Sequence, residues 1–99
     1  MNIKEGASLE GVQWQMFHAA LVAEQVYKKF GAECVITAGT DGKHMEGSLH
    51  YKGRALDLRT FNVAGKELQV KVALQQALGK DYDVVIEKDH IHCEYDPKG

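Results

Sequence analysis

The sequence predicts a small α+β domain, a mostly antiparallel sheet packed by two helices. Two stretches place apolar residues at three- and four-residue spacing and stop at a glycine. Four short apolar stretches, each bounded by turn residues, read as strands. A length of 99 residues with 44% hydrophobic content supplies one core, so residues 1–99 read as a single domain.

In chain order, Ser8 is the expected N-cap of the first helix. Leu9, Val12, Met16, Phe17, Ala20, Leu21, Ala23, Tyr27 and Phe30 follow at helical spacing, and Gly31 is a natural stop. The Met and aromatic stripe is expected in the core, and His18 at the surface or the core edge. Cys34 to Ala38 reads as a strand and 39–47 as a loop punctuated by Gly39, Gly42 and Gly47. Ala55 to Arg59 reads as the second strand. Lys66 to Leu78 is the second helix, with Leu68, Val72, Leu74 and Leu78 expected inward and Gly79 as its stop. Asp83 to Glu87 and Ile91 to Tyr95 are the last two strands, joined by a tight turn or bulge at Lys88-Asp89.

A formal charge of -2 and the lack of a Lys/Arg cluster argue against a dedicated nucleic-acid surface. No run approaches the roughly 18 apolar residues of a membrane span. Met1 to Glu10 lacks the pattern of a signal peptide, so a chain synthesised in the cytoplasm is expected. Cys34 and Cys93 read as two small buried residues in a reduced compartment. Cys93 should face away from His92 on a strand, which makes it a poor metal ligand.

Four of the five histidines fall in two short segments, His44 with His50 and His90 with His92. Zinc takes nitrogen, sulfur or carboxylate donors in a tetrahedron, and a catalytic site leaves one position to water. Gly53 allows a sharp turn between His50 and the strand that presents Asp57. An isolated ionised carboxylate in an apolar strand is costly, so Asp57 must be paired or bind metal. His90 and His92 project from one face of a strand, and either could complete the site. On spacing alone, histidines hydrogen-bonded at a sheet edge are the alternative.

Ser48-x-His50-x-x-Gly53-x-Ala55-x-Asp57, followed by Asp89-x-x-His92, resembles the signature of the M15 zinc peptidases, the D-alanyl-D-alanine carboxypeptidases and L-alanyl-D-glutamate endopeptidases. The same stretches are similar to the hedgehog amino-terminal signalling domain, which shares that fold; Ser48-Leu49-His50-Tyr51 and His90-Ile91-His92-Cys93 lie close to its wording. The resemblance implies a hedgehog/DD-peptidase-like fold with zinc held by His50, Asp57 and His92. It implies Asp89 as the catalytic carboxylate, with Glu87 as the other candidate because Glu87-x-x-His90 fits the same frame. His90 would steady a zinc-bound oxygen or the substrate carbonyl, His44 would lie near the metal, and Ser48 would support by hydrogen bonding. Ser48, Glu87 and Glu94 are candidate partners for the ligand rings.

The sequence departs from the carboxypeptidase pattern in lacking an Arg before the His motif to hold a terminal carboxylate, with Arg54 and Arg59 as substitutes. The implied activity is zinc-dependent hydrolysis of an amide bond in a peptidoglycan stem peptide, leaning to endopeptidase, by a monomer. In that reading a phage-type enzyme leaves the cytoplasm through another protein's pore to reach the cell wall. The alternative is a non-catalytic, hedgehog-like zinc-containing binding module, and a blander one is a closed structural zinc domain.

Overall fold

A stripe of small residues decides how the first helix lies. The computed structural model describes residues 1–41, 48–50 and 52–97. Helix α1 (Trp14–Lys29) buries Met16, Ala19, Ala20, Ala23, Val26 and Tyr27. The alanines let the helix approach its neighbours closely, and the Tyr27 hydroxyl donates to the Arg59 carbonyl at 2.6 Å. Phe17 and Leu21 were expected inside but face outward, as does Trp14 at 72% exposure. The helix carries two apolar stripes, and the one with alanines and Tyr27 packs.

The helix also begins later than expected. Ser8 accepts from the Glu10 amide within a local turn, and the Gln13 amide donates to the Gly53 carbonyl at 2.8 Å. Leu9 and Val12 therefore pack against the core from outside the helix. The end is as expected. Gly31 and Ala32 donate back to the carbonyls of Lys28 and Tyr27, the paired bonds of a Schellman cap. Lys28 and Lys29 in the last turn complement the helix dipole.

Among the described residues the sheet has five strands: β1 (Asn2–Ile3), β2 (Val35–Ala38), β3 (Ala55–Arg59), β4 (Tyr82–Ile86) and β5 (His90–Tyr95). Their spatial order is β1-β2-β3-β5-β4; β1 runs parallel to β2 and every other pair is antiparallel. The expected α+β class and mostly antiparallel sheet are what the structure shows. The edge strand β1 and a 3-10 turn at Phe61–Val63 were not foreseen. Helix α2 (Glu67–Leu78) buries Val70, Leu74 and Leu78. Leu68 and Val72, expected inward, are exposed: the stripe that packs has a four-residue step and passes through Val70 instead.

Strand alternation then sorts the residues by face. Leu56, Leu58, Ile91, Cys93 and Val84 join the helices in one core. Asp57, Arg59, His90, His92 and Glu94 fall on the opposite face, and the register sets Asp57 against His92 and Arg59 against His90. Both cysteines are buried and unbridged, and burial pushes each thiol up to about 12. No helix among the described residues is long and apolar enough to cross a membrane.

Candidate metal centre

Asp57 sits at the middle of β3, between β2 and β5, where sheet pairing holds it from both sides. His92 comes from the adjacent position on β5. His50 arrives from the turn that leads into β3. The Gly53 amide donates to the His50 carbonyl at 3.1 Å and the Arg54 amide to the Leu49 carbonyl at 2.9 Å, closing that turn. Gly53 has φ +70°, and a Cβ there would stand 2.1 Å from the Gly11 carbonyl oxygen. Only glycine meets both demands.

These elements converge on three atoms. His50 Nε2 lies 3.0 Å from Asp57 Oδ1 and 3.1 Å from His92 Nδ1, and His92 Nδ1 lies 3.2 Å from Asp57 Oδ1. Zinc held tetrahedrally at about 2.0–2.2 Å would set its nitrogen and oxygen donors roughly 3.3–3.5 Å apart. The triangle is within a few tenths of an ångström of that size. His50 and Asp57 are buried and His92 partly so, and the three form a group able to hold a metal ion.

The outer ring nitrogens assign the tautomers. His50 Nδ1 donates to the Gly39 carbonyl at 2.7 Å, and His92 Nε2 donates to Glu94 Oε1 at 2.7 Å. In neutral rings the inward nitrogens then carry lone pairs, aimed at one another and at a carboxylate. Three acceptors at that separation need a cation among them, either protons on the rings or a metal. This accounts for the shifts of Asp57 and His92. Burial alone would raise the Asp57 carboxyl, but hydrogen bonds from His50 and His92 overcome it and hold the group well below the usual carboxylate range. His92 is raised by its bond to Asp57, against burial and with help from Glu94.

The remaining expected site residues divide. His90 Nδ1 donates to Asp89 Oδ1 at 2.7 Å, while its Nε2 stands 3.6 Å from Asp57 Oδ2. It lines the site without joining the ligand triangle, so of the two β5 histidines it is His92 that completes the metal group. Among the described residues Asp89 reaches the centre only through His90. It lies in the β4–β5 turn rather than on the strand, so strand alternation does not govern its direction. Glu87 is exposed, and among the described residues its carboxylate makes no bond to the group. Ser48 Oγ accepts from the His50 amide, a support for the turn. His44 lies outside the described residues.

The Gly39 carbonyl is the partner that sequence reasoning missed. A backbone acceptor leaves no mark in residue type, but this glycine has a reason to be one. A Cβ at 39 would come 2.3 Å from the Ser8 carbonyl oxygen. A second group, Asp83, Glu94 and Asp96, brings carboxylate oxygens within 4.8 Å of one another, with Glu94 already committed to His92.

The sequence profile of the hedgehog amino-terminal signalling domain matches residues 17–94. Over 65 residues the chain is 37% identical to the Indian hedgehog protein of Xenopus laevis and to the Tiggy-winkle hedgehog protein of Danio rerio, and 35% identical to the Indian hedgehog B protein of Danio rerio. That stretch covers 64% of this chain and 16% of each relative, so the chain spans a small part of the length of the curated relatives it matches. Of the two families the motifs resemble, the match falls on the hedgehog side. It overturns the expectation of a cytoplasmic chain released to a cell wall as a phage-type enzyme, because the matched domain is a signalling domain.

Proposed function

Because the chain belongs to the hedgehog amino-terminal signalling domain family, we propose that it is a zinc-holding binding module. One observation supports this above the others. Three inward-facing donor atoms lie 3.0–3.2 Å apart while both imidazoles have their outer protons given to fixed acceptors. Two nitrogens and one oxygen in that arrangement suit zinc, and outer partners of this kind orient its ligands. The chemistry zinc supplies when bound is that of a Lewis acid with one further position for a donor from a partner. The chain's own part is to hold three donors rigidly on a sheet face that the helices leave uncovered.

Zinc titration by calorimetry, with metal analysis after gel filtration, tests the assignment. One zinc per chain is expected, with His50→Ala and His92→Ala each losing it. Zinc retained at parent affinity by both variants would sink the reading.

One further observation favours a second reading, zinc-assisted hydrolysis of a peptide bond, with peptidoglycan stem peptides as the substrate class. The Asp89 carboxylate holds His90 Nδ1 at 2.7 Å and leaves Nε2 facing the metal group. Such a backed imidazole can pass a proton or donate to an oxyanion. The check is mass spectrometry of stem peptides after incubation with zinc-loaded protein, with a chelated control. A cut that vanishes on chelation and weakens in Asp89→Asn supports hydrolysis; intact peptides leave the binding module alone.

A further inference from the structure

Strand β4 closes one side of the sheet: it pairs with β5, and among the described residues no strand lies beyond it. The Glu87 amide donates to the His90 carbonyl and the Asp96 amide to the Asp81 carbonyl, so the odd-numbered residues of this run turn their backbone groups toward β5. Tyr82, Val84 and Ile86 therefore turn theirs outward. One side chain meets them. Gln75 of α2 donates from Nε2 to the Tyr82 carbonyl at 2.7 Å and accepts at Oε1 from the Val84 amide at 3.0 Å. A residue of a parallel strand would straddle Asp83 with the same two bonds. The edge thus already holds an amide where a further strand would lie. One step on, the Val84 carbonyl and the Ile86 amide have no such partner among the described residues.

The two sides of this edge differ in chemistry. Helix α2 packs along β4. Val72 and Leu68 precede Gln75 by three and seven residues, so the three share one side of the helix. The short link 79–81 folds β4 back along α2, which sets Val72 and Leu68 beside the later part of the strand. Both are exposed, as is Ile86, and together they make the helix side of the edge apolar. The other side is acidic. Asp83 lies with Glu94 and Asp96, their carboxylate oxygens within 4.8 Å of one another, and Glu87 is exposed at the end of the strand. A second copy of β4, paired antiparallel about Val85, would set Asp83 against Glu87 twice, and like charges directly opposite are destabilising. A basic strand fits where a copy of this one does not.

We infer that the β4 edge takes an extended peptide of another protein as an added strand, with apolar side chains toward α2 and basic ones toward the acidic face. Main-chain bonds hold such a strand and the alternating side chains select it. The bound strand displaces the Gln75 amide and takes over its two bonds. The site uses no metal ligand and stands apart from the metal reading.

The probe is acetyl-Lys-Val-Thr-Val-Lys amide, whose charge pattern reads alike in both directions. It is titrated into the full chain labelled with 15N, and the amide signals are followed. Those of Val84 and Ile86 should move most, and the Ile86 amide should exchange with deuterium about tenfold more slowly when the peptide is bound. The counterpart with both lysines replaced by glutamate should bind about tenfold more weakly. The lysine peptide N-methylated at its three central residues should not bind. Leu68→Ser combined with Val72→Ser should weaken binding several-fold, and Gln75→Ala should strengthen it several-fold by removing the competing amide. Leu68 and Val72 are exposed, so that double variant remains informative if Gln75→Ala folds poorly. No binding, shifts that leave β4 untouched, equal binding of the N-methylated or glutamate peptide, or parent affinity in both variants would overturn the inference. A chain that sediments as a dimer without peptide, with its β4 amides protected, would assign the edge to a second copy and overturn it as well.

Discussion

Asp57, His50 and His92 divide their work between inner and outer atoms, and single-residue changes should separate the two. Asp57→Asn keeps the shape and removes the charge that the two imidazoles share, so zinc affinity should collapse. Glu94→Gln leaves all three donors in place and weakens only the acceptor of the His92 Nε2 proton, 2.7 Å away. Loss of an outer partner of this kind costs about 10- to 100-fold in metal affinity. Competition against a chromogenic chelator, with circular dichroism to confirm an intact fold, checks both. An unchanged affinity in Glu94→Gln would mean that Glu94 does not orient the ring. Cys34 and Cys93 take no part. With both thiols buried and pushed up to about 12, a thiol reagent should modify neither in the folded chain and both after denaturation.

At the scale of elements, what could be read from the sequence depended on how far each signal was local. The strand Ala55–Arg59 is found where expected, because a turn glycine and an apolar run bound it closely. The grouping of His50, Asp57 and His92 was legible through the family resemblance, while spacing alone left either His90 or His92 to complete it; the β3–β5 register decides for His92. The phase of the helices was not legible. Both helices carry apolar residues on more than one side, and which stripe packs depends on the sheet beneath it rather than on period alone. The two-residue strand β1 was illegible for a simpler reason, being too short for alternation to show. The packing can be tested by a pair of substitutions on α2. Leu74 is fully buried, and Leu74→Ala should cost about 2–5 kcal/mol. Leu68 lies two-thirds exposed on the same helix, and Leu68→Ala should stay within about 0.5 kcal/mol. Urea denaturation midpoints give the comparison. Equal costs would mean that the expected stripe, through Leu68 and Val72, is the one that packs.

For the whole molecule, the metal group joins fold stability to pH, and the two titrating partners act at opposite ends. Without metal, His92 is raised above its ordinary value of 6.5, first by the bond to Asp57. A raised base stabilises the fold fully below the unfolded value and loses that contribution as pH climbs through the folded one. Asp57 is lowered from 3.8, so its contribution is present above that value and is lost as acid protonates it. The metal-free chain should therefore be most stable in the window between these two values. Zinc replaces the proton that the inward nitrogens otherwise share, so acid competes with it and its stabilisation grows as pH rises. Thermal unfolding with zinc and with chelator, at about pH 5 and about pH 8, should show a small zinc-dependent rise in Tm in acid and a larger one in base. As pH climbs through the raised His92 value the chelated chain should also lose stability, because the imidazolium–carboxylate bond is lost and nothing fills its place. A zinc effect equal at both pH values would mean that the three donors do not bind the ion together.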